Sequence, residues 1–151
     1  MSAKIECFRD LRVYVEGFKL QQEIFRMTKK FPVEEIYSLT NQIRRSSRSI
    51  GANIAESWQK RRYPAHFVSK LTDADAEQAE TQHWILTSYE CGYILEMTCQ
   101  QLQKQCRDIG KMLGKMMQEP ENGPVNSSNK KSHEIHFAFV CAVICPLSSS
   151  Q

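Results

Sequence analysis

The sequence predicts an all-α protein: an antiparallel up-down-up-down four-helix bundle followed by a disordered or loosely packed C-terminal tail. Three observations carry this expectation. Four long segments repeat apolar residues at three- and four-residue steps, the spacing that lines one face of a helix. Phe31-Pro32, Lys60-Arg61-Arg62-Tyr63-Pro64 and Gly92 break the pattern at three short connections, and short connections between long helices make antiparallel neighbours. Beyond Pro120 the helical period stops, so the bundle is expected over 1–119 and a linker and tail over 120–151.

The first helix is expected from about Asp10 to Lys30. Leu11, Tyr14, Val15, Phe18 and Phe25 form its apolar face, and Arg12, Lys19, Gln22, Glu23 and Arg26 its polar one. Phe31-Pro32 ends it, because the residue before a proline avoids helical dihedrals. Pro32 and Glu34-Glu35 suit the start of a second helix, where carboxylates meet the positive end of the helix dipole. That helix runs to about Gln59 with Ile36, Leu39, Ile43, Ile50 and Ile54 on its buried side. Gly51 in its middle costs about 1 kcal/mol relative to alanine, and close packing of a neighbouring helix accounts for it.

Pro64 fits the first turn of a third helix, running from about Ala65 to Cys91. Phe67, Leu71, Ala74, Ile85 and Tyr89 mark its buried face, widened by Val68, Ala79, Leu86 and Tyr93. Gly92 stands where a left-handed C-cap is expected. The fourth helix, from about Glu96 to Gln118, carries Leu102, Ile109, Met112, Leu113 and Met116, and Pro120 stops it. The segment from Pro120 to Ser132 has linker composition, and the apolar stretch Phe137–Leu147 is too short for a membrane span. Truncation beyond Glu119 is expected to leave the fold intact.

No apolar run follows Met1, which argues against a signal peptide. The six cysteines therefore read as reduced thiols of a cytoplasmic protein rather than as a disulfide framework. The formal charge of +3 is mild but conceals an asymmetry. From Glu35 to Arg62, six basic residues stand against two acidic ones, whereas from Ala65 to Glu90 one lysine stands against five acids. Two adjacent helices thus carry opposite charge.

The chain is organised around Gln42–Trp58, where Ser46, Ser47, Ser49, Gly51, Ala52 and Ala55 sit among the isoleucines and three arginines project. Three arginines within five residues cannot all be buried. Gln42-Ile43-Arg44-Arg45, then Ser49-Ile50, then Asn53-Ile54-Ala55-Glu56 resembles the signature of the bacterial four-helix bundle proteins encoded in intervening sequences of 23S ribosomal RNA genes. The similarity covers about Phe8 to Met117 and includes Phe8-Arg9-Asp10-Leu11, Lys30-Phe31-Pro32 and Gly92-Tyr93-Ile94. One relative in that family, the accessory protein of diversity-generating retroelements, is a pentameric barrel that binds nucleic acid and a reverse transcriptase. The resemblance therefore implies a homo-oligomer, a pentamer in that case, with RNA, DNA or a reverse transcriptase as partner.

Arg44, Arg45, Arg48, Lys60, Arg61 and Arg62 are the candidate nucleic-acid-binding residues. The arginine fork pairs with two phosphate oxygens at once, and Trp58 and Tyr63 beside the strip can stack on bases. The competing reading pairs Arg44 and Arg45 with acids of the third helix, in the same subunit or a neighbouring one. Of the two groups, the Lys60-Arg61-Arg62 turn is better placed for nucleic acid, since a loop is free of bundle partners. Tyr63 and Trp84 are candidates for exposure at a subunit contact.

Elsewhere the sequence offers little chemistry. Asn53 and Glu56 flank Ile54 and suit either the satisfaction of buried polar groups or an interhelix contact. Di-iron bundles repeat Glu-x-x-His on two helices, but Glu80-Thr81-Gln82-His83 occurs once, so both ends read as surface residues. His133, His136, Cys141 and Cys145 imitate a zinc site with the wrong order and too short a gap. No phosphate loop, nucleophile elbow or Cys/His nucleophile pattern is present. No catalytic residue, metal or cofactor is expected. The reading is a non-catalytic, oligomeric module that binds RNA or DNA, with a protein-interaction scaffold as its rival.

Overall fold

The structure, a computed structural model, describes residues 5–120. Four helices form in order: α1 Arg12–Thr28, α2 Leu39–Lys60, α3 Pro64–Glu90 and α4 Glu96–Gln118. Each packs on two neighbours, α1 on α2 and α4, and α3 on α2 and α4. This is the cyclic arrangement of an up-down-up-down bundle. The apolar stretch 137–147 and the zinc-like group His133–Cys145 lie outside the described residues, as does the expected tail.

Local signals place most helix ends. Pro64 occupies the first turn of α3, where its missing N–H is unused by the helix. At the other end Gly92 adopts φ 75°, and Tyr93 N–H reaches Ser88 carbonyl at 2.9 Å, closing a Schellman-type cap. The start of α2 differs from expectation. A 3-10 turn at Val33–Glu35 comes first, Ser38 leaves the helical region (φ −111°, ψ −105°), and the α-helix begins only at Leu39. Glu35, expected in the first turn, instead accepts hydrogen bonds from Ser38 hydroxyl, from Tyr93 hydroxyl at 3.0 Å and from Leu39 N–H at 3.3 Å. It caps the helix from outside, and in doing so ties the α1–α2 connection to the α3–α4 connection.

The core runs the length of the bundle through Leu20, Ile24, Ile43, Ile50, Ile54, Phe67, Leu71, Ile85, Leu102, Ile109 and Leu113. The expected faces of α2 and α4 are largely right, but that of α1 is rotated. Val13, Gly17, Leu20, Ile24 and Thr28 point inward, while Val15 and Phe18 are exposed and Tyr14 and Phe25 only half-buried. Two apolar stripes compete on this helix. The aliphatic one wins because its slimmer side chains let α1 approach α2, where a Cβ on Gly17 would meet Ile50 Cγ2 at 3.4 Å. Ile36, Ala79 and Leu86 also lie outside the core, because each falls off the buried stripe of its segment.

The α2–α3 interface is partly polar. Ser46 and Thr81 hydroxyls meet at 2.9 Å in full burial, and Thr81 also bonds Glu77 carbonyl at 2.8 Å. Ser57 and Ser88 return their hydroxyls to their own helices. Each of these four hydroxyls thus finds a partner, which removes most of the penalty for burying it. At the exposed edge Lys70 of α3 bridges Glu56 at 2.9 Å and Asn53 at 3.3 Å, so both of these α2 residues do form the interhelix contact expected of them.

Among the described residues Cys7, Cys91, Cys99 and Cys106 are free thiols. Burial pushes the Cys106 thiol up to about 12, so it stays protonated and packs as a small apolar group. Gly51 does not mark an obligatory close approach: a Cβ there would meet Tyr14 Cε2 at 3.6 Å, ordinary van der Waals contact. The tight position is Gly110 of α4, where a Cβ would fall 2.7 Å from Gln78 Nε2.

Candidate nucleic-acid interface

Helical geometry divides the six basic candidates into two groups. Twelve residues separate Arg48 from Lys60, about 18 Å along α2 at 1.5 Å per residue. The first group lies near the start of α2 and the second at its end, so they do not form one strip.

At the end of α2 the turn is less free than its sequence suggests. Arg61 folds back, its Nη1 donating to Trp58 carbonyl at 2.7 Å and its guanidinium lying 4.3 Å from the Trp58 ring centre. Trp58 itself is 5% exposed and belongs to the core. The expectation that Trp58 stacks on bases is therefore corrected: the indole fills the bundle end, where its apolar area is better buried than exposed. Lys60, Arg62 and Tyr63 remain exposed.

The first group is built differently. Arg44 is half-buried, and its Nε donates to Thr28 Oγ1 at 2.7 Å, across to α1. Its guanidinium carbon sits 5.1 Å from the Phe25 ring centre; that of Arg48 sits 5.7 Å from the same ring, and Lys29 Nζ 4.8 Å. One half-buried phenylalanine thus gathers three cations by the attraction of its negative face. Arg45 turns the other way, toward α3, and meets Glu80 Oε1 at 3.3 Å. Within this chain the ion-pair reading holds for Arg45 but not for Arg44, because residues one apart on a helix diverge by about 100°. Among the described residues neither Arg44 nor Arg48 forms an ion pair.

The three arginines open onto a shallow groove of about 580 Å³ that runs back past Thr40 and Asn41 to Tyr37. Tyr37 is 89% exposed. Thr40 is buried and its Oγ1 has no hydrogen-bond partner. On the α3 side, burial first and then the neighbouring Glu80 raise the Glu77 carboxyl above its ordinary value, with Arg45 opposing the rise. Tyr37, Phe25, Thr28 and Thr40 were not among the sequence-derived candidates. Tyr37 carried a usable signal, since it is a large aromatic lying off the apolar stripe of α2 and next to the arginine cluster.

Other candidate chemistry does not come together. Glu80 pairs with Arg45 and accepts Trp84 Nε1–H at 3.1 Å, which leaves Trp84 half-buried rather than exposed. His83 is exposed and packs edge-on against the Trp84 ring. Among the described residues no group of three His, Cys, Asp or Glu side chains is placed to hold a metal ion, and no helix is long and apolar enough to cross a membrane.

These features define a four-helix bundle with an arginine-lined groove on its second helix. The chain belongs to the 23S rRNA-intervening sequence protein family, whose model matches residues 9–115. Among solved structures it is similar to a protein of unknown function from the S23 ribosomal protein family of Bacteroides thetaiotaomicron. The two share 27% identity and a TM-score of 0.64 over 70% of this chain and 95% of that one. No curated protein matches.

Proposed function

We propose that this protein is a non-catalytic, self-associating module that binds RNA or DNA through the arginine groove at the start of α2. The observation that carries the reading is the pair Arg44 and Arg48. Their guanidinium groups are held against Phe25 and turned to an open groove without a carboxylate partner among the described residues. A structural ion pair would neutralise that charge inside the fold; here it is available to phosphate oxygens. Arg45 adds a third cation whose exposed bond to Glu80 is weak enough to exchange for a phosphate. Lys60 and Arg62 form a secondary patch at the other end of the helix. Self-association, into a ring of five by family resemblance, would repeat the groove around an axis and multiply weak contacts.

The test is the salt dependence of binding to a labelled RNA and its DNA counterpart. The parent should lose affinity steeply as salt rises. Replacing Arg44, Arg45 and Arg48 together with glutamine should reduce the slope of log affinity against log salt by roughly 0.7 to 0.9 for each phosphate no longer neutralised. Unchanged affinity and slope in that variant would sink the groove as the binding surface. Light scattering on the same sample reports the subunit number, and a strict monomer would remove the assembly claim.

A further inference from the structure

We infer that the groove is selective for single-stranded nucleic acid, one unpaired base lying on Tyr37 while Arg44, Arg45 and Arg48 hold the flanking phosphates. This inference rests on the proposed function and adds the class of ligand. Tyr37 is 89% exposed, beside the 45% exposed Ile36, and both line the groove. Its ring contacts no other aromatic ring among the described residues. A free aromatic face at one end of a cationic groove is the combination that binds unpaired bases, because every base offers a π-face and successive phosphates follow the charge.

Position and size argue the same way. Tyr37 lies in the turn just before α2, N-terminal to Arg44, Arg45 and Arg48, so the ring stands at the end of the charged row rather than within it. In a duplex the bases are stacked and paired, and only their edges are accessible in the grooves. A duplex could place phosphates on the arginines but could not deliver a base face to Tyr37. The groove volume of about 580 Å³ suits a small part of a strand, within the roughly 300–1,000 Å³ of small-ligand sites. Thr40 lies beneath the groove, 4% exposed, with an Oγ1 that is covered and lacks a hydrogen-bond partner, so a ligand reaches it only if the side chain or its cover shifts.

The experiment compares three labelled probes of equal length: a mixed-sequence single strand, the same strand annealed to its complement, and an abasic strand that keeps the phosphates. Each is titrated against the parent, Tyr37→Ala and the triple arginine-to-glutamine variant, with circular dichroism confirming the fold. The parent should prefer the single strand to both other probes. Tyr37→Ala should weaken single-strand binding about five- to a hundredfold, leave the salt slope unchanged and leave the abasic probe unaffected. Tyr37→Phe should retain parent affinity. Equal binding of single strand and duplex, or indifference to Tyr37→Ala while the arginine variant loses binding, overturns the base contact alone. No binding of any probe by the parent at low salt overturns the proposed function as well.

Discussion

Arg44 of α2 and Thr28 of α1 are joined by a 2.7 Å hydrogen bond from the arginine Nε to the threonine hydroxyl oxygen. Thr28 ends the buried face of α1, and its hydroxyl lies 2.8 Å from Ile24 carbonyl, to which it donates. The oxygen therefore gives its proton to its own helix and turns its lone pairs to the guanidinium. That leaves the two terminal nitrogens of Arg44 for a ligand and fixes the direction in which they point.

Thr28→Val keeps the shape of the side chain and removes the acceptor. Stability should fall by about 1–2 kcal/mol, read as the midpoint of a urea transition, because a half-buried charged group loses a hydrogen bond. Nucleic-acid affinity should fall too, since Arg44 is no longer oriented. Unchanged values of both would show that the Phe25 ring alone positions the guanidinium.

Glu80→Gln separates assembly of the fold from binding. The amide oxygen can still accept Trp84 Nε1–H, while Arg45 loses its carboxylate. Arg45 is 60% exposed in this pair, so the stability change should stay below about 1 kcal/mol. Affinity for nucleic acid should rise, with a steeper salt slope, because a competing anion has gone. A drop in affinity would argue that Arg45 serves the α2–α3 contact rather than the groove.

Two glycines should respond oppositely to alanine. Gly51→Ala should raise stability by about 0.5–1 kcal/mol, since the new methyl meets only ordinary contact with Tyr14 and the helix gains propensity. Gly92→Ala should lower it by about 1–2 kcal/mol despite open space around it, because φ 75° strains any residue with a Cβ. Thermal melts of the two variants side by side decide the matter.

The Glu35 cap makes an acid-sensitive joint. The Ser38 hydroxyl first, then Tyr93 hydroxyl and Leu39 N–H, hold its carboxyl below the usual glutamate range. A depressed acid contributes fully above its unfolded pKa and loses that contribution as pH falls through its folded one. The protection of the Leu39 amide, the ratio of its intrinsic to its observed exchange rate at each pH, should therefore fall on acidification through and below the ordinary glutamate range. In Glu35→Gln the protection should be lower at neutral pH and nearly constant over the same interval. Equal profiles would show that Glu35 is not what holds the two connections together.

The ends of α3 and α4, the core stripe of α4 and the bundle class were legible in the sequence because their causes are local. Proline at a first turn, glycine beyond a last turn and a single unambiguous apolar stripe act through neighbouring residues, whatever lies opposite. The family signature around Gln42–Glu56 was legible for the same reason, as a continuous string. What lay beyond local reach depended on a partner surface. On α1 two stripes were both apolar enough to be buried, and only the groove offered by Ile50 and Ile54 chose the aliphatic one. Gln78, Thr81 and Ser88 carry no apolar signal in α3, yet they are buried, because partners on their own and adjacent helices satisfy them. The arginines show the division most clearly. Their exposure followed from charge, but whether each met an acid, a hydroxyl or a ring depended on neighbours brought in from α1 and α3, and tertiary packing alone set those distances.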